Sequence, residues 1–556
     1  MPAAALKLAL AAKLLIGVPA VDGWPWHPPT SADINAHDVM ARDKALSHDA
    51  YKGRMPGTNE GEHAAKWIAD EMKLVGIEGG NHGSFYQIVP GVNITPDPAL
   101  SSLSFATPDG ALVPKHPDDA VFWTPQFQTP DVTIQNAPLV FVGYGIVAPE
   151  FGWNDYANVD VKGKAVVILV NDPGNEDARP DPSFFGGPAM TYYGRWPYKM
   201  EEAARHGAAA AIVVHEKGPA GYDWQIVHAF GGTRSWLAAD DGNKQMVPIQ
   251  GWITHETAGE LFRRAGLDYL QMKKAANNRG FHAVSLAGET LTAHVHTNVV
   301  HFESRNVVGI IPGRVHPDQV VLYTAHWDHL GMKQKPTNGD RVYNGAIDNA
   351  LGVSSILELG EAFAAEDPPP ERSIAIVSFT MEEQNLLGSQ YFIEHAPWPL
   401  NHIVAAINLD ANLPEGRARD LVLYGGGANG LEPILANVLK TQDRVLSSDP
   451  DPGTGMYYRS DQLSLAKVGI PVLAPMGGYD LLQGGKAAGK AVRADYFAHR
   501  YHEPSDEYNE NWDLAGPIED LKAFYMFGNA LANSREWPNW NKGNEFRPVR
   551  DAYMKR

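Results

Sequence analysis

Residues 319–325 read Gln-Val-Val-Leu-Tyr-Thr-Ala and give way at once to His326-Trp327-Asp328. Apolar side chains stand at consecutive positions, not alternate ones, as in a strand buried on both faces of an α/β sheet. The neighbourhood repeats the theme. Asn306 to Ile311, Ser373 to Thr380 and Ile403 to Leu409 are further near-continuous apolar runs, while Ala350 to Ala365 and Leu387 to Glu394 have helical spacing. The order strand, strand, helix, strand, helix, strand predicts a central sheet sandwiched by helices, with ligands at the carboxyl ends of the strands. Asp367-Pro-Pro-Pro370 ends the first of these helices.

The whole chain has 556 residues, 44% of them hydrophobic and 20% charged, so it can bury more than one core. A net charge of −19 offers no basic field for nucleic acid or for an anionic membrane surface. The absence of cysteine excludes disulfides, thiolate metal sites and cysteine nucleophiles. Residues 1–20 carry Lys7, an apolar stretch and Val-Pro-Ala, which is the form of an export signal and predicts a periplasmic or secreted protein. No membrane span is expected beyond it. Glu60 to Gly76 should be an amphipathic helix. Between about 125 and 285, short β runs set off by glycines (Leu139-Val-Phe-Val-Gly-Tyr-Gly145, Gly163 to Val170, Ala208 to Val214) predict a separate β-rich module, with a helix over Thr254 to Ala265. Oligomeric state is left open by the sequence.

Polar groups gather where the apolar runs stop. His326 and Asp328 follow one strand, Glu382-Glu383 another and Asp410 a third, while Asp348-Asn349 precedes a helix. One His, three Asp and a Glu pair along one sheet edge make a hard, oxygen-rich donor set suited to zinc, manganese or cobalt. Taken singly, Asp348 would be an ordinary helix cap. Adjacent Glu382 and Glu383 repel each other unless a cation neutralises them. Two divalent ions are the expected cofactor.

These residues resemble the M28 zinc peptidases, a family of aminopeptidases that also includes glutamate carboxypeptidase-like and transferrin-receptor-like members. The resemblance rests on ordered motifs: His326-Trp-Asp328, Gly345-Ala-Ile-Asp348-Asn349, Glu382-Glu383 through Gly388-Ser389, Asp410, Ser460-Asp461, and Tyr501-His502 with Asp506. A weaker match lies at Gly53-Arg54-Met-Pro-Gly57-Thr58. The resemblance implies a zinc-exopeptidase fold over 33–124 and 286–545, with an inserted protease-associated domain over 125–285. It also implies that His326 and Asp410 hold one ion, Glu383 and His502 the other, and that Asp348 bridges them. Glu382 is then the general base and Tyr501 the oxyanion donor, while Asp328, Asp461 and Asp506 lie behind the ligands, Asp328 orienting His326. Two positions depart from the family: Gln462 stands where His often follows Ser-Asp, and Gln384-Asn385 where a Gly commonly sits.

The expected activity is removal of single residues from the amino terminus of a peptide by metal-activated water. A carboxypeptidase or dipeptidase of the same fold would need a cationic pocket, for which Arg459, Arg493 and Arg500 are the candidates. A glutaminyl cyclase is disfavoured by two complete ligand sets, and a non-catalytic receptor by an intact Glu382. Gly388-Ser389 lacks the Gly-x-Ser-x-Gly elbow of a serine nucleophile.

Overall fold

The structure is a computed structural model and describes residues 24–107, 110–176, 181, 183–337 and 339–555. The export signal read over 1–20 lies outside the described residues. Among the described residues no helix is long and apolar enough to cross a membrane. The chain divides into two compact units, residues 1–89, 303–449 and 459–556 forming one and residues 90–302 with 450–458 the other.

The first unit is built on a mixed sheet. Its strands run in the order Val307–Ile311 (the last residues of the long strand Val284–Ile311), Arg372–Phe379, His316–His326, Ile403–Asn408, Val472–Gly477, Asp420–Tyr424, Val445–Ser448. Four neighbours, Arg372–Phe379 through Val472–Gly477, are parallel, so their carboxyl ends share one edge. Both faces are buried. Val321, Tyr323 and Ala325 join a core with Ile68 and Met72 of helix Asn59–Leu74, Leu357 and Phe363 of helix Leu351–Ala364, and Phe524 and Phe527 of helix Ala515–Ala532. Val320 and Leu322, which point the other way, are also fully buried. Helices Leu387–Glu394 and Gln462–Lys467 are joined by a buried hydrogen bond from Ser389 Oγ to Ser464 Oγ of 2.9 Å. Helix Asn59–Leu74 starts where Thr58 Oγ1 accepts from Gly61 N at 3.1 Å, a cap of the kind worth about 1 kcal/mol.

The second unit has its own sheet, in the order Ala120–Trp123, Ile249–Thr254, Ala210–His215, Ala165–Leu169, Asp131–Phe141, Val284–His296, Ser102–Thr107, Gly110–Leu112. Its middle strands are parallel and its flanks antiparallel. Val166, Ile168, Val213, Trp196 and Trp252 fill its core. The unit is larger than the predicted 125–285. Strand Ala120–Trp123 pairs with Gln250–Ile253, and Ser102–Ala106 with Thr290–His294. Segments on both sides of the predicted boundaries are therefore held by long-range pairing.

Candidate metal centre

The carboxyl edge of the parallel strands gathers the polar residues. His326 closes strand His316–His326, Glu382 and Glu383 follow Arg372–Phe379, and Asp410 follows Ile403–Asn408. Asp348 sits in the turn 346–350 that leads into helix Leu351–Ala364, and His502 just beyond helix Gly485–His499. The turns are tight. Met381, Ala411 and His502 take left-handed φ values of 54, 50 and 57°, a region that non-glycine residues avoid unless their surroundings hold them there.

The donor atoms form two groups that share one residue. Asp348 Oδ1 lies 3.2 Å from His326 Nε2, which also lies 3.3 Å from Asp410 Oδ1. Asp348 Oδ2 lies 3.2 Å from His502 Nε2, which also lies 3.2 Å from Glu383 Oε2. Glu382 stands further back, its Oε2 4.0 Å from His326 Nε2. These spacings fit cations. A tetrahedral shell with bonds of about 2.0–2.1 Å has donor-to-donor edges of about 3.3 Å.

Electrostatics agree with the spacing. Burial opposes ionisation at Asp348, yet contacts from His326 and His502 hold its carboxyl well below the usual range. At Glu383 burial is likewise overcome by His502 and His329, which bring it down to about 2. Burial would lower both histidines, but Glu382 and Asp410 lift His326, and Glu383 and Asp348 lift His502, well above the ordinary imidazole value. Burial pushes Glu382 well up, helped by Glu383, Asp410 and Asp461. No Lys or Arg neutralises the Asp348, Glu383 and Asp410 carboxylates by an ion pair among the described residues, which leaves a net demand for positive charge.

A second layer positions the first. Asp328 accepts from the backbone N–H of Glu382 at 3.0 Å and of Glu383 at 3.4 Å. Asp328 meets His326 through its backbone: His326 Nδ1 is 3.2 Å from the Asp328 backbone oxygen and 4.0 Å from the carboxylate. Asp506 does for Asp348 what Asp328 does for the Glu pair, accepting from Ile347 N at 3.2 Å and Asp348 N at 3.0 Å. Burial raises Asp328 and Asp461 to about 7 and Asp506 to about 6. Asp461 is fully buried behind the site. Tyr501 stacks on the His502 ring, centroids 3.9 Å apart, and burial followed by the nearby Asp348 and Glu383 keeps its hydroxyl protonated.

The two departures have local reasons. Asn385 takes a φ of 72°, the region where Asn is the best substitute for Gly. Gln462 is buried and its Oε1 accepts from Asn408 Nδ2 at 2.8 Å, which makes it part of the sheet's polar packing. The sequence reading missed His329 and gave Asn349 no role of its own. His329 is fully buried and its Nδ1 lies 2.6 Å from Glu383 Oε1, the oxygen that does not face His502. The signal was its position, one residue past the His-x-Asp pair. Asn349 donates to Leu409 O at 2.9 Å and accepts from Ala411 N at 3.4 Å, thereby gripping the backbone on both sides of Asp410.

Residues 306–526 match the profile of Peptidase family M28. The chain carries an M28 peptidase domain. The chain is also similar to mouse Aminopeptidase NAALADL1, 33% identical over 176 residues, which are 31% of this chain and 21% of that protein. Another relative is the "Probable zinc metalloprotease" of Pyrenophora teres f. teres (strain 0-1), 35% identical over 104 residues, 19% of this chain and 22% of that protein. The chain thus covers about a fifth of the length of these relatives. Among solved structures, the aminopeptidase from Aneurinibacillus sp. strain AM-1 aligns over 91% of this chain and 95% of its own, at 18% identity and a TM-score of 0.48.

Proposed function

We propose that the chain is an exported metallo-aminopeptidase that holds two divalent ions, zinc in the first place, and removes the amino-terminal residue of peptides. One observation carries this reading: Asp348 presents one oxygen to His326 and the other to His502, each at 3.2 Å, the posture of a carboxylate shared by two cations. His326, Asp410 and Asp348 would hold one ion, and His502, Glu383 and Asp348 the other. When bound, such a pair lowers the pKa of water and polarises the scissile carbonyl.

The chain's own groups do the rest. Glu382 Oε2 lies 4.0 Å from His326 Nε2, further than the Asp348 and Asp410 oxygens, and burial with its acidic neighbours raises its affinity for a proton. It therefore suits the general base that takes the proton of the attacking water and hands it to the leaving amine. Tyr501, kept protonated, suits a donor to the oxygen on which negative charge develops. Carboxylates around the site can receive a substrate ammonium through charge-assisted hydrogen bonds. Two of the three arginines of the alternative cationic pocket have partners of their own. Arg493 Nη2 is bonded to the Met476 carbonyl, and Arg500 lies against Asp495 and the Tyr496 ring. The β-rich unit is proposed to be a protease-associated domain.

The test compares a short peptide and an amino-acid anilide, each with a free and an acetylated amino terminus. Free termini should be required. Equal cleavage of the acetylated peptide, dependent on a free carboxyl terminus, would favour a carboxypeptidase.

A further inference from the structure

Arg54 lies far in sequence from every donor and outside the segment that matches the family profile. It is nevertheless buried beneath the site, with 1% of its surface exposed. Its backbone is held left-handed at a φ of 48°. Its guanidinium donates to carbonyls: Nε to Trp327 O at 2.7 Å, Nη1 to Asn344 O at 2.5 Å and Leu46 O at 3.3 Å, and Nη2 to Gly345 O at 2.9 Å. Trp327 sits between His326 and Asp328, while Asn344 and Gly345 open the turn that ends at Asp348. One planar group thus ties together the loops that carry His326 and Asp348. The base of the same loops is pinned by Gly331 N to Gly53 O and Tyr343 N to Gly331 O, both 3.0 Å.

A neutral donor could satisfy those carbonyls, but it would not answer the field. The carboxylates of Asp43, Asp328, Asp348 and Asp506 all act on the Arg54 charge. We propose that Arg54 is a positioning residue for the metal pair, fixing through the Trp327, Asn344 and Gly345 carbonyls the separation of His326 from Asp348. This inference rests on the metallopeptidase reading. Lysine would keep the charge but gathers its donors on one atom and cannot span three carbonyls in a plane.

Arg550 supplies the control. It is also fully buried and also donates to carbonyls, Ile403 O at 3.0 Å and Val404 O at 3.3 Å, but these lie at the start of the strand, away from the site edge. Chelator-stripped wild type, Arg54→Lys and Arg550→Lys are titrated with zinc against a fluorescent chelator, and the Tm of each stripped protein is recorded. Arg54→Lys should bind zinc about 10–100-fold more weakly, the usual cost of losing support behind a ligand. Arg550→Lys should lower Tm and leave zinc affinity unchanged. Asn344→Ala provides a second probe in case Arg54→Lys does not fold. Its amide donates to Ser47 O at 2.8 Å and Asp49 Oδ1 at 2.7 Å, so its loss should loosen the same loop and weaken zinc binding in the same direction. Wild-type zinc affinity in Arg54→Lys, or in Asn344→Ala where only that variant folds, would overturn the inference alone. A wild-type protein that takes up no zinc would overturn the metallopeptidase reading and this inference with it.

Discussion

Glu382 and Glu383 are adjacent in sequence, yet the structure gives them different tasks. Glu383 is pulled down to about 2 and faces His502, while Glu382 is pushed up and faces no histidine closer than 4.0 Å. The split comes from burial and the acidic neighbours acting on Glu382, against His502 and His329 acting on Glu383, while Asp328 holds both backbone amides. Glu382→Gln should therefore cut kcat by at least about 100-fold, the scale of a lost general base, while metal content stays at the wild-type level. Metal analysis beside the kinetics separates the roles, and loss of an ion in this variant would make Glu382 a ligand. His326, Glu382, Glu383 and Asp410 drew notice in the sequence because each stands where an apolar run stops, whereas His502 was named only through the family resemblance. His329 was missed. Its place directly after Asp328 was the one signal, and that does not show its ring turning toward Glu383, 54 positions away.

Helix Ala515–Ala532 and strand His316–His326 approach each other at Gly528, where an added Cβ would stand 1.8 Å from the Tyr323 hydroxyl oxygen. That hydroxyl donates to Phe524 O at 2.7 Å, so it has little room to move. Gly528→Ala gains up to about 1 kcal/mol of helix propensity. Overpacking a dense core costs about 1–3 kcal/mol. The clash should win, and urea unfolding should show a loss of stability; a more stable variant would mean that the Tyr323 contact yields freely. Elements such as helix Leu387–Glu394 and strand Arg372–Phe379 could be placed from sequence within a residue or so because their burial is periodic or continuous. The edges of the β-rich unit could not. Ser102–Thr107 and Ala120–Trp123 belong to it through partners near 290 and 250, and pairing at that range leaves no local pattern.

Across the whole molecule, buried carboxyls give the metal-free chain an unusual pH response. Burial raises Glu358 and Glu415 to about 7 and Asp520 to about 6, joining Asp328 and Asp461 at about 7. Unfolded carboxyls titrate near 4, so between about 4 and 7 the folded chain binds more protons than the unfolded one. Their contribution to stability is complete below the unfolded value and is lost as pH rises through about 7. His116 and His215, lowered by burial, act in the opposite sense but are outnumbered. Chelator-stripped protein should therefore have a higher Tm at about pH 5.5 than at about pH 7.5, and a Tm that rises over that interval would contradict the burial argument. Zinc should add more to Tm at the higher pH, because binding requires deprotonated imidazoles and carboxylates. The central claim, a pair of ions bridged by Asp348, is tested most directly by calorimetric titration of zinc into stripped wild-type and Asp348→Ala protein near neutral pH. About two equivalents per chain are expected for wild type, and weakened uptake at both positions for the variant. One equivalent or none in wild type, or full uptake with wild-type affinity in Asp348→Ala, would contradict it.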